Sequence, residues 1–412
     1  MKLIYKIIYI YLNTNFKKII LFKGVTKLNL LKYFKISKRE SCPCGSGLKF
    51  MNCCYIKKIN LKIQNKKPPE VLIRETMKKS MTKICLYPDQ ENCRGPIKKA
   101  HALQNNKIIS LLAGDERHVY LLDAKRNPTI INYENGDQEV LVEITSVSAN
   151  AATTETCFCD LHDNIAFAAI EKGAPDFNEN DEEMKFIYAY KAFIFEYYKM
   201  STSLEMFRTQ FSINPKVFNN YKLINLYRNL QLNIREFEYT KKYFDNKITS
   251  KDYTGITSCI VKIPEQINFA NYSYIAPSYD LNGKKIKNKS KGFIHRLSIT
   301  VIPEKEFSYI VLSCLERDKH MYTNLFDQLT SSSLDKIKFY MSLFLPLYSE
   351  NIVISPALWN TWDDEKRRAY TFYANLKNEQ FFTFNKANGM ILRNASKIRG
   401  FEYREKNIIS LF

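Results

Sequence analysis

Four of the ten cysteines in this 412-residue chain stand between positions 42 and 54, in SCPCGSGLKFMNCC, with the spacing Cys42-x-Cys44-x8-Cys53-Cys54. Adjacent cysteines such as Cys53 and Cys54 are poorly placed to pair with each other, and a thioredoxin-type redox site wants Cys-x-x-Cys beside a βαβ unit. Four thiolates around one Zn²⁺ satisfy the pattern, because zinc takes tetrahedral sulfur ligands at about 2.3 Å. Gly45 and Gly47 let the backbone between the two pairs turn through positive φ, and Lys49 offsets part of the surplus negative charge of a four-thiolate centre. So short a peptide has no core of its own, and the metal is expected to supply its folding energy.

A second set of soft ligands follows. KICLYPDQENCRGPIKKAHALQ holds Cys85, Cys93 and His101, and TETCFCDLHDNIAFAAIEKG holds Cys157, Cys159 and His162. Cys85 and Cys93 form one knuckle, although the seven residues between them are wide for one, and Cys159-x-x-His162 forms the other. Cys157 is the alternative ligand. The second pair opens a helical pattern, with Ile165, Phe167, Ala168 and Ile170 at helix-compatible spacing. A knuckle from a loop plus a knuckle at a helix N-terminus describes a treble-clef arrangement.

Two family resemblances rest on these residues. CPCGSGLKFMNCC resembles the SEC-C zinc motif, known at the C-terminus of the bacterial protein-translocation ATPase and as an addition to many other bacterial proteins. The resemblance carries the ligand positions onto Cys42, Cys44, Cys53 and Cys54, and implies a small docking surface for a protein partner, the ribosome or nucleic acid. It names no reaction, and the chain has no GxxxxGK[ST] phosphate loop. IKKAHALQ is similar to the first strand of HNH-type nucleases. That resemblance implies His101 as general base on water, and Asp163 holding a divalent ion if His162 is spent on zinc. A carboxylate there suits Mg²⁺ or Mn²⁺. The separation from His101 to Asp163 is longer than a compact HNH core needs, and for the family's middle Asn only Asn150 and Asn164 offer themselves. His118, in DERHVYLL, is an alternative base or a polar strand residue, and His101 also reads as a zinc-binding or structural hydrogen-bonding histidine, or as an ordinary surface one.

The elements around these ligands differ sharply in charge. Residues 1–84 carry 20 Lys and Arg against 3 Asp and Glu, whereas the remaining 328 residues carry 42 against 39. A basic front end on a nearly neutral body attracts polyanions with salt-sensitive affinity, nucleic acid first and an anionic membrane surface second. The apolar runs of MKLIYKIIYIYLNTNFKKIILFKG are broken by Lys6, Lys17 and Lys18 and fall short of the roughly 18–20 residues that span a bilayer, and no small-residue cleavage site follows. A cytoplasmic protein without a transmembrane segment is expected.

Downstream, NENDEE followed by MKFIYAYKAFIFEYYKM reads as a buried aromatic helix with an acidic start, and PKVFNNYKLINLYRNLQLNIREFEYTKKYFDN as one or two more. From about Ile256 the period changes. TSCIVKI, INFANYSYIAP, FIHRLSITVIP and FSYIVLSCL are short β-rich runs joined by DLNGKK and PEKE turns, predicting an antiparallel sheet of four or so strands. Cys259 and Cys314 read as core thiols, His295 as a satisfied strand histidine and His320 as exposed. SSSLDKIKFYMSLFLPLYSE begins at a serine cap, with Pro346 interrupting it, and TWDDEKRRAYTFYANL forms a last helix.

The expected fold class is α+β and multidomain. The order is a basic N-terminal extension (1–40), the SEC-C zinc motif (41–58), a basic linker (59–80), a treble-clef/HNH-like zinc region (81–175), a helical region (176–250) and an α+β C-terminal region of antiparallel sheet and helices (251–412). The leading functional expectation is a zinc protein, with one or two Zn²⁺, that docks on nucleic acid or a ribonucleoprotein. The alternatives are an HNH-like metal-dependent nuclease, conceivably in host defence by analogy, and a docking adaptor for a chaperone or secretion partner.

Overall fold

The computed structural model describes residues 35–56, 69–123, 126, 129–132, 138–171, 173–290, 292–375, 382–385, 389–392 and 409–412. Most of the basic extension, and residues 59–68 of the basic linker, lie outside the described residues; the rest of the linker, Pro69–Ser80, is helical. By its internal contacts the chain falls into two units, one of residues 1–83, 127–140 and 197–240, the other of residues 84–126, 141–196 and 241–412.

The elements used below are, among strands, β1 (Ile97–His101), β2 (His118–Leu122), β3 (Ile144–Ser148), β4 (Thr154–Cys159), β5 (Ile256–Ile263), β6 (Phe269–Ile275), β7 (Lys289–Ser290), β8 (Phe293–Ile294), β9 (Leu297–Pro303), β10 (Ser308–Leu315) and β11 (Ile352–Ile354). The helices are α1 (Pro69–Ser80), α2 (Asp160–Ala166), α3 (Glu182–Ile213), α4 (Tyr221–Ser250), α5 (Lys319–Ser331), α6 (Leu334–Tyr348), α7 (Pro356–Thr361) and α8 (Asp364–Asn375). The unit boundaries cut α3 between 196 and 197 and α4 between 240 and 241.

In the first unit, the later part of α3 and the earlier part of α4 enclose an apolar cluster of Phe207, Phe211, Leu223, Ile224, Tyr227 and Leu230, with Phe218 from the turn between them. Helix α1 is tied to α3 by the Gln210 Nε2 to Thr76 Oγ1 bond (2.5 Å), and the segment just after it by Tyr198, whose hydroxyl donates to the Thr82 carbonyl at 2.7 Å. Such pairings satisfy polar groups that would otherwise be stranded in an apolar setting.

The second unit is built on a seven-stranded antiparallel sheet in the order β3-β2-β11-β6-β9-β10-β5. Side chains alternate across a strand, so Cys259, Val261 and Ile263 of β5, Leu297, Ile299 and Val301 of β9, and Ile310, Leu312 and Cys314 of β10 all enter one core. Tyr322, Leu325 and Leu329 of α5, Met341 and Phe344 of α6, Trp359 of α7 and Tyr370 and Tyr373 of α8 join them there. Tyr272 and Tyr274 of β6 have the opposite phase and meet Phe195 and Phe193 of α3 in edge-on ring contacts. Cys259 and Cys314 are thus core thiols.

The four expected strands are β5, β6, β9 and β10. The sheet is wider because β2, β3 and β11 add to the β6 edge, the first two arriving from between the two ligand-bearing segments. Ser333 caps α6 by accepting the Lys336 N–H. Pro346 does not interrupt the helix as expected, because it lies in the last turn and removes a bond only near the end.

Candidate metal centres

The first centre forms in a tight β-like turn. Ser41 bridges Lys49, the Cys42 N–H donates to the Leu48 carbonyl at 2.7 Å, and the Gly45 N–H donates back to the Cys42 carbonyl at 3.1 Å. Gly45 and Gly47 have φ of +81° and +76°, the left-handed region that side chains with a Cβ avoid. A one-turn helix, Phe50–Asn52, follows, and the Cys53 N–H donates to the Phe50 carbonyl at 3.1 Å. This fold-back brings the sulfurs together, with Cys42–Cys44 at 3.4 Å, Cys44–Cys53 at 3.6 Å and Cys53–Cys54 at 4.0 Å. Zinc–sulfur bonds of about 2.3 Å at tetrahedral angles require edges of roughly 3.8 Å, so the four donors fit one such ion.

Electrostatics separate Cys44 from Cys42 and Cys54. Burial pushes Cys44 up, but hydrogen bonds from Ser46 and the neighbouring thiols outweigh it and bring it down to about 7. Burial raises Cys42 and Cys54. Four sulfurs this close cannot all ionise without a cation among them. Ser46 Oγ also donates to Cys53 Sγ at 3.3 Å and accepts the Leu48 N–H, a second-sphere brace of the kind that orients ligands.

The motif has no core of its own but joins one supplied by other elements. Phe50 is only 4% exposed and packs against Phe218 at 4.7 Å between ring centroids and against Tyr55 at 5.6 Å. Cys42 and Cys54 belong to the same apolar cluster as α3 and α4. Arg228 grips Glu40 (3.1 Å) and the Lys35 carbonyl (3.2 Å), and the Arg208 side chain lies over Gly45. Packing therefore contributes to holding the motif, beside any ion the four sulfurs would take.

The second centre draws its ligands from a loop and a helix start. The Ile84 and Leu86 N–H groups donate to the Thr156 and Cys157 carbonyls, laying this segment along β4 and placing Cys85 beside it. Strand β1 pairs antiparallel with β4, from Ile97 opposite Cys159 to His101 opposite Thr154, with an irregularity between Lys98 and Ala100. Cys159 precedes α2, whose first turn carries His162. The His162 Nδ1 lies 3.4 Å from Cys85 Sγ, 3.6 Å from Cys93 Sγ and 3.3 Å from Cys159 Sγ. Loop, antiparallel pair and helix make the treble-clef plan expected from the ligands.

The loop reaches the helix because Gly95 (φ +74°) allows close approach; a Cβ there would come within 2.9 Å of Asp160 Cβ. The Asp160 and Leu161 N–H groups then donate to the Pro96 and Arg94 carbonyls. Burial raises Cys159, but backbone N–H groups of His162 and Arg94 lower it further, and its thiol sits below the usual range. Burial, with Cys85 and Cys159 alongside, pushes Cys93 up to about 12. Tyr87 stacks on the buried His162 ring. Among the described residues, these two four-donor groups are the ones whose ligand atoms lie close enough to hold a metal ion. Cys157 is fully buried and stands outside both.

His101 ends β1, and its Nδ1 is 3.1 Å from the Ala152 carbonyl. A carbonyl only accepts, so Nδ1 carries the proton and Nε2 the lone pair. Burial, then Lys191, lowers the His101 pKa. Asp163 is raised by burial and faces Lys191, Lys98 and Glu171. Lys98 Nζ lies 2.7 Å from Asp160 and 3.7 Å from Asp163, and the buried Lys191 pairs with Glu171. His101 and Asp163 thus share one pair of charged neighbours, Lys191 and Glu171.

The remaining candidates have other engagements. The Asn164 amide donates to the Asp160 carbonyl and Asn150 accepts from Asn105. His118 pairs with Glu116, its Nε2 3.2 Å from the carboxylate. Tyr87, Arg208 and Ser46, which brace the two centres, carry no ligand spacing and were not expected from the sequence. Among the described residues, no helix is long and apolar enough to cross a membrane. No curated protein and no solved structure matches the chain. Residues 39–56 match the SEC-C motif, so the four-cysteine centre lies within a motif of that family.

Proposed function

We propose that the protein is a two-zinc docking protein whose partner is nucleic acid, alone or in a ribonucleoprotein. The observation that carries this reading is the charge asymmetry, 20 Lys and Arg against 3 Asp and Glu in residues 1–84, because that segment encloses the SEC-C centre. A metal centre fixes the short motif as a rigid platform, and the lysines around it neutralise phosphates. Each phosphate neutralised releases condensed counterions, which makes the affinity fall steeply with salt.

The test is a binding titration of the zinc-loaded protein with duplex DNA, duplex RNA and single-stranded RNA of equal length. Six to ten phosphate contacts correspond to a loss of about 10³–10⁵ in affinity between 50 and 200 mM salt. Binding that is absent, or indifferent to salt, rejects the proposal. A preference among the three ligands identifies the partner.

One observation supports a second reading, a metal-dependent nuclease. Nδ1 of His101 is tied to the Ala152 carbonyl, which leaves Nε2 free to take a proton from water, as a general base must. Asp163 would hold Mg²⁺ or Mn²⁺ on the adjoining helix, and the ion would stabilise charge on a phosphate. Lys98, now 3.7 Å from Asp163, would have to yield to that ion.

A further inference from the structure

Outside the two candidate metal centres, three side chains of the second unit form a hydrogen-bonded chain. Ser290 Oγ is 2.7 Å from His295 Nε2, and His295 Nδ1 is 2.7 Å from Asp318 Oδ1. The carboxylate only accepts, so Nδ1 bears the ring proton and the Nε2 lone pair faces the serine hydroxyl. Asp318 is 3% exposed, whereas Ser290 is at the surface. An exposed hydroxyl, a histidine of fixed tautomer and a buried carboxylate have the order and roles of a nucleophile triad, which is recognised by geometry and not by chain position.

The fold holds each member from a different element. Strands β7 and β8 form a two-stranded ribbon with Ser290 opposite Phe293. Just beyond it, the His295 N–H donates to the Asn288 carbonyl and Tyr322 Oη donates to the His295 carbonyl, both at 2.8 Å. Asp318 ends the short turn before α5, with Arg317 Nε 3.8 Å from the same carboxylate oxygen. Gly292, two residues from the serine, has φ +82°, and a Cβ there would meet nothing within 4 Å. Residues 281–296 contain five lysines and Arg296 and no Asp or Glu.

We propose that Ser290 is a nucleophile, His295 its general base and Asp318 the positioning residue of an acyl-transfer site that hydrolyses carboxylic esters bearing a negative charge. Ser290 Oγ forms a bond to the ester carbonyl carbon as its proton passes to His295 Nε2. The carbon–alkoxide bond then breaks, and the leaving alcohol takes that proton. Water attacks the acyl-serine, gives a proton to His295, and releases the carboxylic acid as Ser290 Oγ recovers the proton. The basic run around Ser290 favours an anionic acyl group over a neutral one.

The experiment is covalent labelling of the full-length, metal-loaded protein with a fluorophosphonate, followed by peptide mass mapping. One adduct on Ser290 is expected, absent in Ser290→Ala and formed about 10²–10⁴-fold more slowly in His295→Gln, with the exposed His320→Gln unchanged. Asp318→Asn should slow labelling and move the His295 ring proton from Nδ1 to Nε2, read from imidazole ¹⁵N shifts, a change that loss of packing alone would not cause. An unlabelled Ser290 in protein with native circular dichroism, or labelling at equal rates in His295→Gln, overturns the triad. Hydrolysis of a nitrophenyl hemisuccinate no faster than of nitrophenyl acetate overturns the anionic substrate class.

Discussion

The ring of Tyr87 lies flat on the imidazole of His162, with centroids 4.3 Å apart and planes 17° from parallel. The stack fixes the plane of a ring whose Nδ1 faces three sulfurs. Replacing Tyr87 with Ala leaves all four donors in place but frees the ring, and changes outside the ligand sphere typically cost 10–100-fold in metal affinity. We expect a loss of that size at the second centre alone, measured by competition with a chromophoric zinc chelator.

Phe50 and Leu48 sit two residues apart in the SEC-C motif, one 4% and the other 54% exposed. Phe50→Ala should destabilise the first unit by about 3–5 kcal/mol, the range for a buried Phe, and Leu48→Ala by less than about 0.5 kcal/mol. Chemical denaturation of the zinc-loaded protein measures both. Equal effects would mean that the metal alone holds the motif.

Gly95 and Gly47 separate two costs. Both have positive φ, but a Cβ on Gly47 meets nothing within 4 Å while one on Gly95 strikes Asp160 Cβ at 2.9 Å. Gly47→Ala should cost about 1–2 kcal/mol from backbone conformation. Gly95→Ala should cost more and weaken the second centre, because the loop carrying Cys93 must withdraw from α2. Thermal melts with zinc stoichiometry on each variant test this.

On the nuclease reading, plasmid nicking requires Mg²⁺ or Mn²⁺ and falls by about 10²–10⁴ in His101→Ala. His118→Ala, whose imidazole is paired with Glu116, serves as the comparison and should nick like the unaltered protein. Equal activity in His101→Ala, or none in either protein, removes His101 from any mechanism.

The two candidate donor groups were legible in the sequence because a tetrahedral metal site calls for short-range spacing: Cys42-x-Cys44 and Cys159-x-x-His162 each sit within one turn of chain. The core strands β5, β6, β9 and β10 were legible from their apolar runs. What stayed hidden is non-local. Strands β2 and β3 arise from the 52 residues between His101 and Thr154 and join a sheet formed far along the chain, and no local periodicity states the pairing partner. That excursion also accounts for the long separation between His101 and Asp163. Nor does Phe50 differ in sequence from any aromatic in a loop until α3 and α4 close over it. His295 read as a satisfied strand histidine, and its partners Ser290 and Asp318 lie on separate elements, so their alignment appears only in three dimensions.

The measurement closest to the central claim is zinc content per folded chain, by mass spectrometry under native conditions and by elemental analysis. Two zinc ions per chain are expected, falling to one in Cys42→Ser/Cys54→Ser and to one in Cys85→Ser/Cys159→Ser. A natively folded protein that carries no zinc, or that keeps the same content in either double variant, would contradict it.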